Sequence, residues 1–374
     1  MNDSPLLWVI GGEPSGDMLG ARILTALRKR YPHLRICGVG GPLMEEAGQF
    51  TTLFSYTELS HIGFTSVLRH LPRLIKRYRQ TVQQIIEDKP DVLLTIDCPD
   101  FALRVSKAVQ GKTQRVHCVA PSVWAWRKHR AERLAQQTDY LLHLFRFEAD
   151  YFRHMKAIWV GHPLADEAGH PIDPRVLGEL FPELSSQDPL LCVLPGSRPQ
   201  EIASCWPVFR QTVEKLRQQL PRLKVVVVTL PQYTALFSQE GVNVVSDPEK
   251  KRAVFARASA ALACSGTVTL ELALTRTPMV VGYVVHPLVA WILKKMLSTP
   301  YVGLVNILAG SCIAQECLQS AFNPNTLSDA VYLLLTRDQP PQFEQKGLDN
   351  VWWNVKSDTT FAERGADVLV SLLK

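Results

Sequence analysis

The feature that most constrains the fold is a phrase the chain uses twice. Near its start "LLWVI" runs into "GGEPSGDM", and midway "LLCVL" runs into "PGSRPQEI". Each is an unbroken apolar run closed by a glycine turn and followed by a helical pattern. A strand apolar at every position is buried on both faces, as in parallel sheets covered by helices on both sides. The alternation continues after each phrase. "LRICGVG", "DVLLTID", "RVHCVA", "YLLHLF" and "AIWVG" follow the first, and "KVVVVTL", "NVVS", "AALACSG" and "PMVVGYV" follow the second. Between the two series lies the looser, Pro- and acid-rich "EAGHPIDPRVLGELFPELSSQDP". The expectation is an α/β chain of two doubly wound, Rossmann-like domains, residues 1–170 and 171–345, with a helical tail, 346–374, crossing back. A length of 374 residues suits two cores better than one. Ligands of open α/β sheets bind beyond the carboxyl ends of the strands, so a cleft between the halves is expected.

Composition narrows the class. The chain is 46% hydrophobic and 20% charged, ordinary for a globular protein. It opens on its first strand rather than on a basic-plus-apolar leader, and no apolar run reaches the ~18–20 residues of a membrane span. Its eight cysteines show no C-x-x-C or metal-ligand spacing, which predicts reduced core thiols in the cytoplasm. A net charge of +6 suits an anionic partner without choosing among phosphate, membrane and nucleic acid. RNA-binding signatures, a D-x-D and a G-x-G-x-x-G are all lacking, so no nucleic acid, bridging metal or dinucleotide cofactor is expected.

Several stretches carry chemistry. "LPGSRPQEI" puts Gly196, Ser197 and Arg198 where a strand becomes a helix, and backbone N–H groups with a guanidinium suit a diphosphate there. "CSGTVTLELA" repeats the device with Ser265, Gly266 and Thr267, and Glu271 lies one turn on, where its carboxylate suits two vicinal ribose hydroxyls. Either loop alone reads equally well as a helix cap; together they predict a nucleoside diphosphate. "DVLLTIDCPDF" ends a buried strand on Asp97, a candidate general base, with Asp100 read as a cap of the next helix. "APSVWAWRKHR" offers Trp124, Trp126 and Arg127 to a sugar ring and an anion, or else a buried tryptophan pair. In "HIGFTSVLRHLPRLIKRYRQ", Ile62, Phe64, Val67, Leu68, Leu71, Leu74 and Ile75 alternate with arginines and a lysine. That is the pattern of two short amphipathic pieces split at Pro72, either an interfacial membrane contact or a core-facing helix with a basic edge.

Together "GGEPSGDMLG", "HIGF", "DCPDF", "PSVWAWR", "VGHPLAD", "LPGSR", "SGTVTLE", "MVVGY" and "VNILAG" resemble the lipid-A-disaccharide synthase family, inverting glycosyltransferases of the GT-B fold. The resemblance implies a reaction of UDP-2,3-diacylglucosamine with 2,3-diacylglucosamine 1-phosphate (lipid X), giving a β-1,6-linked disaccharide and UDP without a cofactor. It implies that Asp97 is the base for the acceptor hydroxyl, and that Arg198 and Asn306 are needed for activity. Glu271 is similar to a ribose-binding glutamate. The Ile62–Ile75 region is similar to an apolar patch that seats the protein on the anionic cytoplasmic face of the inner membrane. A homodimer exchanging tails is compatible with the resemblance. The first glycine turn then belongs to the acceptor: Gly12 and Gly16 allow close approach, while Glu13, Ser15 and Asp17 bond hydroxyls or fix the loop. Competing readings are another GT-B enzyme with a different lipid acceptor, a UDP-sugar 2-epimerase, and a non-catalytic nucleotide-sugar binder.

Overall fold

A computed structural model describes residues 4–60, 67–123, 129–172, 175–182, 184–185, 187–239, 242–285 and 299–373. The chain divides into two compact units, Met1–Asp166 with Val355–Lys374, and Glu167–Asn354.

The first unit is built on six parallel strands: β1 (Leu6–Gly11), β2 (Arg35–Val39), β3 (Val92–Ile96), β4 (Gln114–Cys118), β5 (Tyr140–His143) and β6 (Lys156–Trp159). They lie in the order β2-β1-β3-β4-β5-β6. Every residue of β1 and β3 is buried, which is why both read as unbroken apolar runs. Trp8, Ile10, Leu93 and Phe101 form part of one core cluster. Helix α1 (Pro14–Arg30) starts with proline in its first turn and ends on Arg28, Lys29 and Arg30, cations that suit the negative end of the helix dipole. Helix α2 (Pro42–Gly48) follows β2.

The helix Val67–Asp88 is continuous through Pro72, where the sequence predicts two pieces. Pro72 is only the sixth residue of that helix, so its missing N–H removes a single bond near the start. The register beyond it is held from outside. Arg73 Nε donates to Glu58 at 2.7 Å and Arg77 grips the same carboxylate at 2.8 and 2.9 Å, while the Arg77 guanidinium lies 4.7 Å over the Phe54 ring.

The second unit repeats the plan with β7 (Leu190–Leu194), β8 (Lys224–Val228), β9 (Asn243–Val245), β10 (Ala260–Ala263), β11 (Met279–Tyr283) and β12 (Gln315–Leu318). Their order is β12-β11-β10-β7-β8-β9, again all parallel. β12 has no counterpart in the sequence reading, because this edge strand is polar and only partly buried.

The C-terminal helix Phe361–Leu372 belongs to the first unit. Asp166 accepts from the Phe361 N–H at 2.8 Å, Arg364 Nε donates to the Trp159 carbonyl at 3.1 Å, and Arg30 pairs with Asp367. Among the described residues no helix is long and apolar enough to cross a membrane.

Candidate active site

In an open α/β sheet the crevice forms where the strand order reverses. In the first unit that point lies between β1 and β3; Asp97 leaves β3, and Ser15 stands in the first turn of α1, which follows β1. Ser15 Oγ donates to Asp97 Oδ2 at 2.9 Å, and the Cys98 N–H donates to Asp97 Oδ1 at 2.9 Å. Both carboxylate oxygens are thereby fixed, with lone pairs remaining on each. The backbone there is strained: Asp97 and Cys98 take φ of 52° and 47°, and Val119, leaving the neighbouring strand β4, takes 82°. Left-handed backbone at a non-glycine residue costs of order 1–3 kcal/mol each and concentrates at functional sites; for β-branched Val119 it is an outlier. Asp100 is exposed and sits in the first turn of the helix Pro99–Ala108, whose N-cap is Cys98, so it caps nothing.

The acidic glycine turn is partly a structural device. Asp17 is 4% exposed, and its carboxylate accepts from the backbone N–H groups of Gly41, Leu43 and Met44 at 3.0, 3.2 and 2.9 Å. These are orphan donors at the start of α2, so Asp17 ties that helix to α1. Gly12 is required by the protein itself: a Cβ there would stand 2.6 Å from Cys98 Sγ. Gly16 likewise packs beside the Ile96 carbonyl. Glu13 and Ser15 remain exposed at the rim.

In the second unit the order reverses between β7 and β10, the two strands whose loops carry Gly196–Arg198 and Ser265–Thr267. Gly196 has φ of +118°, a conformation that favours glycine. Glu201, which the sequence reading missed, fills the concavity. Its Oε2 accepts from the Ser197 and Arg198 N–H groups at 3.0 and 3.2 Å, and its Oε1 from Arg198 NH1 at 2.9 Å. A glutamate three residues past the N-cap is the capping-box signal that would have found it. Gly266 and Thr267 are exposed with open space beside Gly266, and the Thr267 side chain makes no cap bond. Glu271, a turn further in, pairs with Lys251 at 2.5 Å.

Asn306 is wholly buried and fully committed. Its Oδ1 accepts from the Ile313 and Ala314 N–H groups at 2.9 Å each, and its Nδ2 donates to the Ala314 carbonyl at 2.7 Å and to Glu316 at 2.8 Å. Glu316 in turn accepts from the Val302 and Gly303 N–H groups at 3.0 and 2.9 Å. Asn306 therefore holds two loops in register, and no hydrogen-bonding capacity is left over for a ligand.

Trp124, Trp126, Arg127, Ile62 and Phe64 lie outside the described residues, as do the side chains of Val67 and Leu68. Of the remaining apolar patch, Leu71 and Ile75 are 41% and 42% exposed, whereas Leu74 packs against the core. A cavity of about 930 Å³ opens at the opposite, amino-terminal ends of β3–β6 among Lys89, Arg115, Asp139 and Lys156. It is away from the chemistry described here.

The profile of the lipid-A-disaccharide synthetase family matches residues 7–357. Proteins named lipid-A-disaccharide synthase from Rhodospirillum centenum and Idiomarina loihiensis are 37% and 36% identical, covering 98% and 100% of this chain and 94% and 99% of theirs. One from Paramagnetospirillum magneticum is 39% identical over 91% of this chain and 90% of its own. Among solved structures, the glycosyltransferase of kitacinnamycin aligns with a TM-score of 0.66 at 15% identity, covering 99% of this chain and 100% of that one. A Methanocaldococcus jannaschii UDP-GlcNAc 2-epimerase aligns at 0.60 and 12% identity, covering 98% and 99%. At these identities the structures speak for the fold, which is GT-B.

Proposed function

The chain belongs to the lipid-A-disaccharide synthase family, and on that premise we propose that it joins UDP-2,3-diacylglucosamine to lipid X with inversion at the donor C1. It is a hexosyltransferase of lipid A biosynthesis, and its sugar donor is a nucleotide sugar. The single observation that carries the finer reading is the Asp97 carboxylate, held by Ser15 and the Cys98 N–H at the reversal point of its sheet on strained backbone. Asp97 takes the proton of the acceptor 6-hydroxyl as that oxygen attacks C1 from the face opposite UDP, giving a β product from an α donor. Glu13, Ser15, Trp124, Trp126 and Arg127 serve the acceptor, Asp17 and Gly12 by shaping the loop.

The second unit holds UDP. Charge developing on the leaving diphosphate is met by Arg198 and by the N–H groups of Ser265, Gly266 and Thr267, dipoles oriented before the reaction begins. Glu201 engages one of the five guanidinium donors of Arg198 and fixes the loop. Glu271, aligned by Lys251, accepts from the ribose hydroxyls. Asn306 supports activity through the loops it braces. The exposed Leu71 and Ile75, next to Lys76 and Arg79, seat the protein on the anionic cytoplasmic face of the inner membrane.

The test is a coupling reaction in detergent micelles with donor, lipid X and chelator, the product linkage being read by NMR. A β-1,6 disaccharide formed in step with UDP is the expected result. UDP release without disaccharide, or an α linkage, would refute the reading.

A further inference from the structure

Beside Asp97 the first unit has a second, smaller cavity of about 150 Å³ that nothing above uses. Its lining includes Pro99 and Asp100, two and three residues after Asp97, together with Pro121, two residues past strained Val119. Leu103 and Leu134, both buried, also line it. Two arginines line it from different helices, Arg104 from Pro99–Ala108 and Arg133 from His129–Gln137.

The two helices that carry these arginines are tied together near their carboxyl ends. Arg115, 3% exposed on β4, pairs with Asp139 at 2.6 Å and donates to the carbonyls of Ser106 and Gln137 at 3.4 and 3.2 Å. Burial alone would raise the Asp139 carboxyl, but the Arg115 bonds hold it below its ordinary range, so the pair stays ionic. Ser106 Oγ also donates to the Gln137 carbonyl at 2.6 Å. The ends of both arginine-bearing helices are thus pinned to each other and to the sheet.

Two guanidiniums lining one cavity repel, and Asp100 in the same lining offsets only one of them. Neither arginine forms an ion pair among the described residues, so the lining carries a net positive charge beside the apolar Leu103 and Leu134. Guanidinium forks match the oxygens of a phosphate monoester in geometry as well as charge. Resting on the reading under Proposed function, we propose that Arg104 and Arg133 bind the anomeric phosphate of the acceptor and select phosphorylated over unphosphorylated acceptors. They are specificity residues, and they fix the sugar so that its far hydroxyl meets Asp97.

The experiment uses the full chain carrying Arg104→Gln, Arg133→Gln, both together, or Arg133→Lys, with melting temperatures checked against wild type. Rates are measured with the diacylated donor and two acceptors, lipid X and the same sugar lacking its phosphate. The double variant is expected to raise KM for lipid X about 10- to 100-fold, the range for charge-assisted hydrogen bonds. KM for the unphosphorylated acceptor and for the donor should not move, Arg133→Lys should recover part of the loss, and Asp100→Asn should lower KM for lipid X. No change, or an equal change for both acceptors, would overturn the proposal.

Calorimetric titration with glucosamine 1-phosphate and with inorganic phosphate separates the sources of the anion. Sugar-phosphate binding that the double variant abolishes supports the proposal. Equal affinity for inorganic phosphate, with acceptor KM unmoved, would overturn it in favour of a free-anion site. If wild type forms no disaccharide at all, the reading of function fails. The titration then decides the pocket alone: sugar-phosphate binding lost in the double variant sustains an anion site, and no binding to wild type overturns it.

Discussion

Asp97, Cys98 and Val119 hold positive φ at the ends of two adjacent strands, where ordinary residues would relax. The strain orients the Asp97 carboxylate, and Ser15 completes its support. Ser15→Ala should lower kcat about tenfold, one hydrogen bond to a charged group, and leave the Kd for UDP unchanged; a shift in Kd alone would place Ser15 elsewhere. Asn306 makes the opposite case, since its four bonds are all internal. Asn306→Ala leaves two buried N–H groups, a carbonyl and Glu316 short of partners, and should destabilise the second unit by about 2–4 kcal/mol in urea unfolding. Lost activity without lost stability would mean that the asparagine acts on substrate directly. The sequence made Asp97 visible because an acid closing a buried strand is conspicuous. It hid the job of Asp17, because its partners Gly41, Leu43 and Met44 lie across a strand and a loop.

At the scale of elements, the strands were legible wherever both faces are buried, as in β1, β3 and β7. β12 was not, since a polar, half-exposed edge strand has neither the apolar run nor the clean alternation that marks one. The helix Val67–Asp88 was misdivided at Pro72 because the grip of Glu58 on Arg73 and Arg77 comes from a separate segment. That grip also removes two cations from the basic face, leaving Lys76 and Arg79 exposed beside Leu71 and Ile75. Leu71→Ser with Ile75→Ser should reduce co-sedimentation with anionic vesicles at least fivefold, with both residues buried about 25 cal/mol per Å² in the interface. Unchanged sedimentation would remove this helix from the membrane contact. Lys251 escaped notice because its partner Glu271 lies 20 residues away, whereas Glu201, which holds Arg198, was legible as a capping-box glutamate.

At the scale of the whole molecule, one plan occurs twice, and Asp97 in one copy and Gly196–Arg198 with Ser265–Thr267 in the other leave strands at which the order reverses. Stability against acid belongs to this scale too. Burial pushes His117 and His162 down to about 4 from 6.5, with Arg22 assisting at His162. Both are neutral when folded but charge when unfolded, so their contribution is intact above pH 6.5 and is lost as pH falls towards 4. Each should cost the first unit about 2 kcal/mol at pH 5. His117→Gln should flatten the dependence of the urea midpoint on pH, and an unchanged slope would contradict the assignment. The central claim is that Asp97 is the base for sugar transfer onto an acceptor. The most direct measurement compares wild type and Asp97→Asn in single-turnover disaccharide formation alongside UDP affinity. The account predicts a loss of at least a thousandfold in the chemical step with an unchanged Kd for UDP. Transfer at a near-normal rate by Asp97→Asn would contradict it.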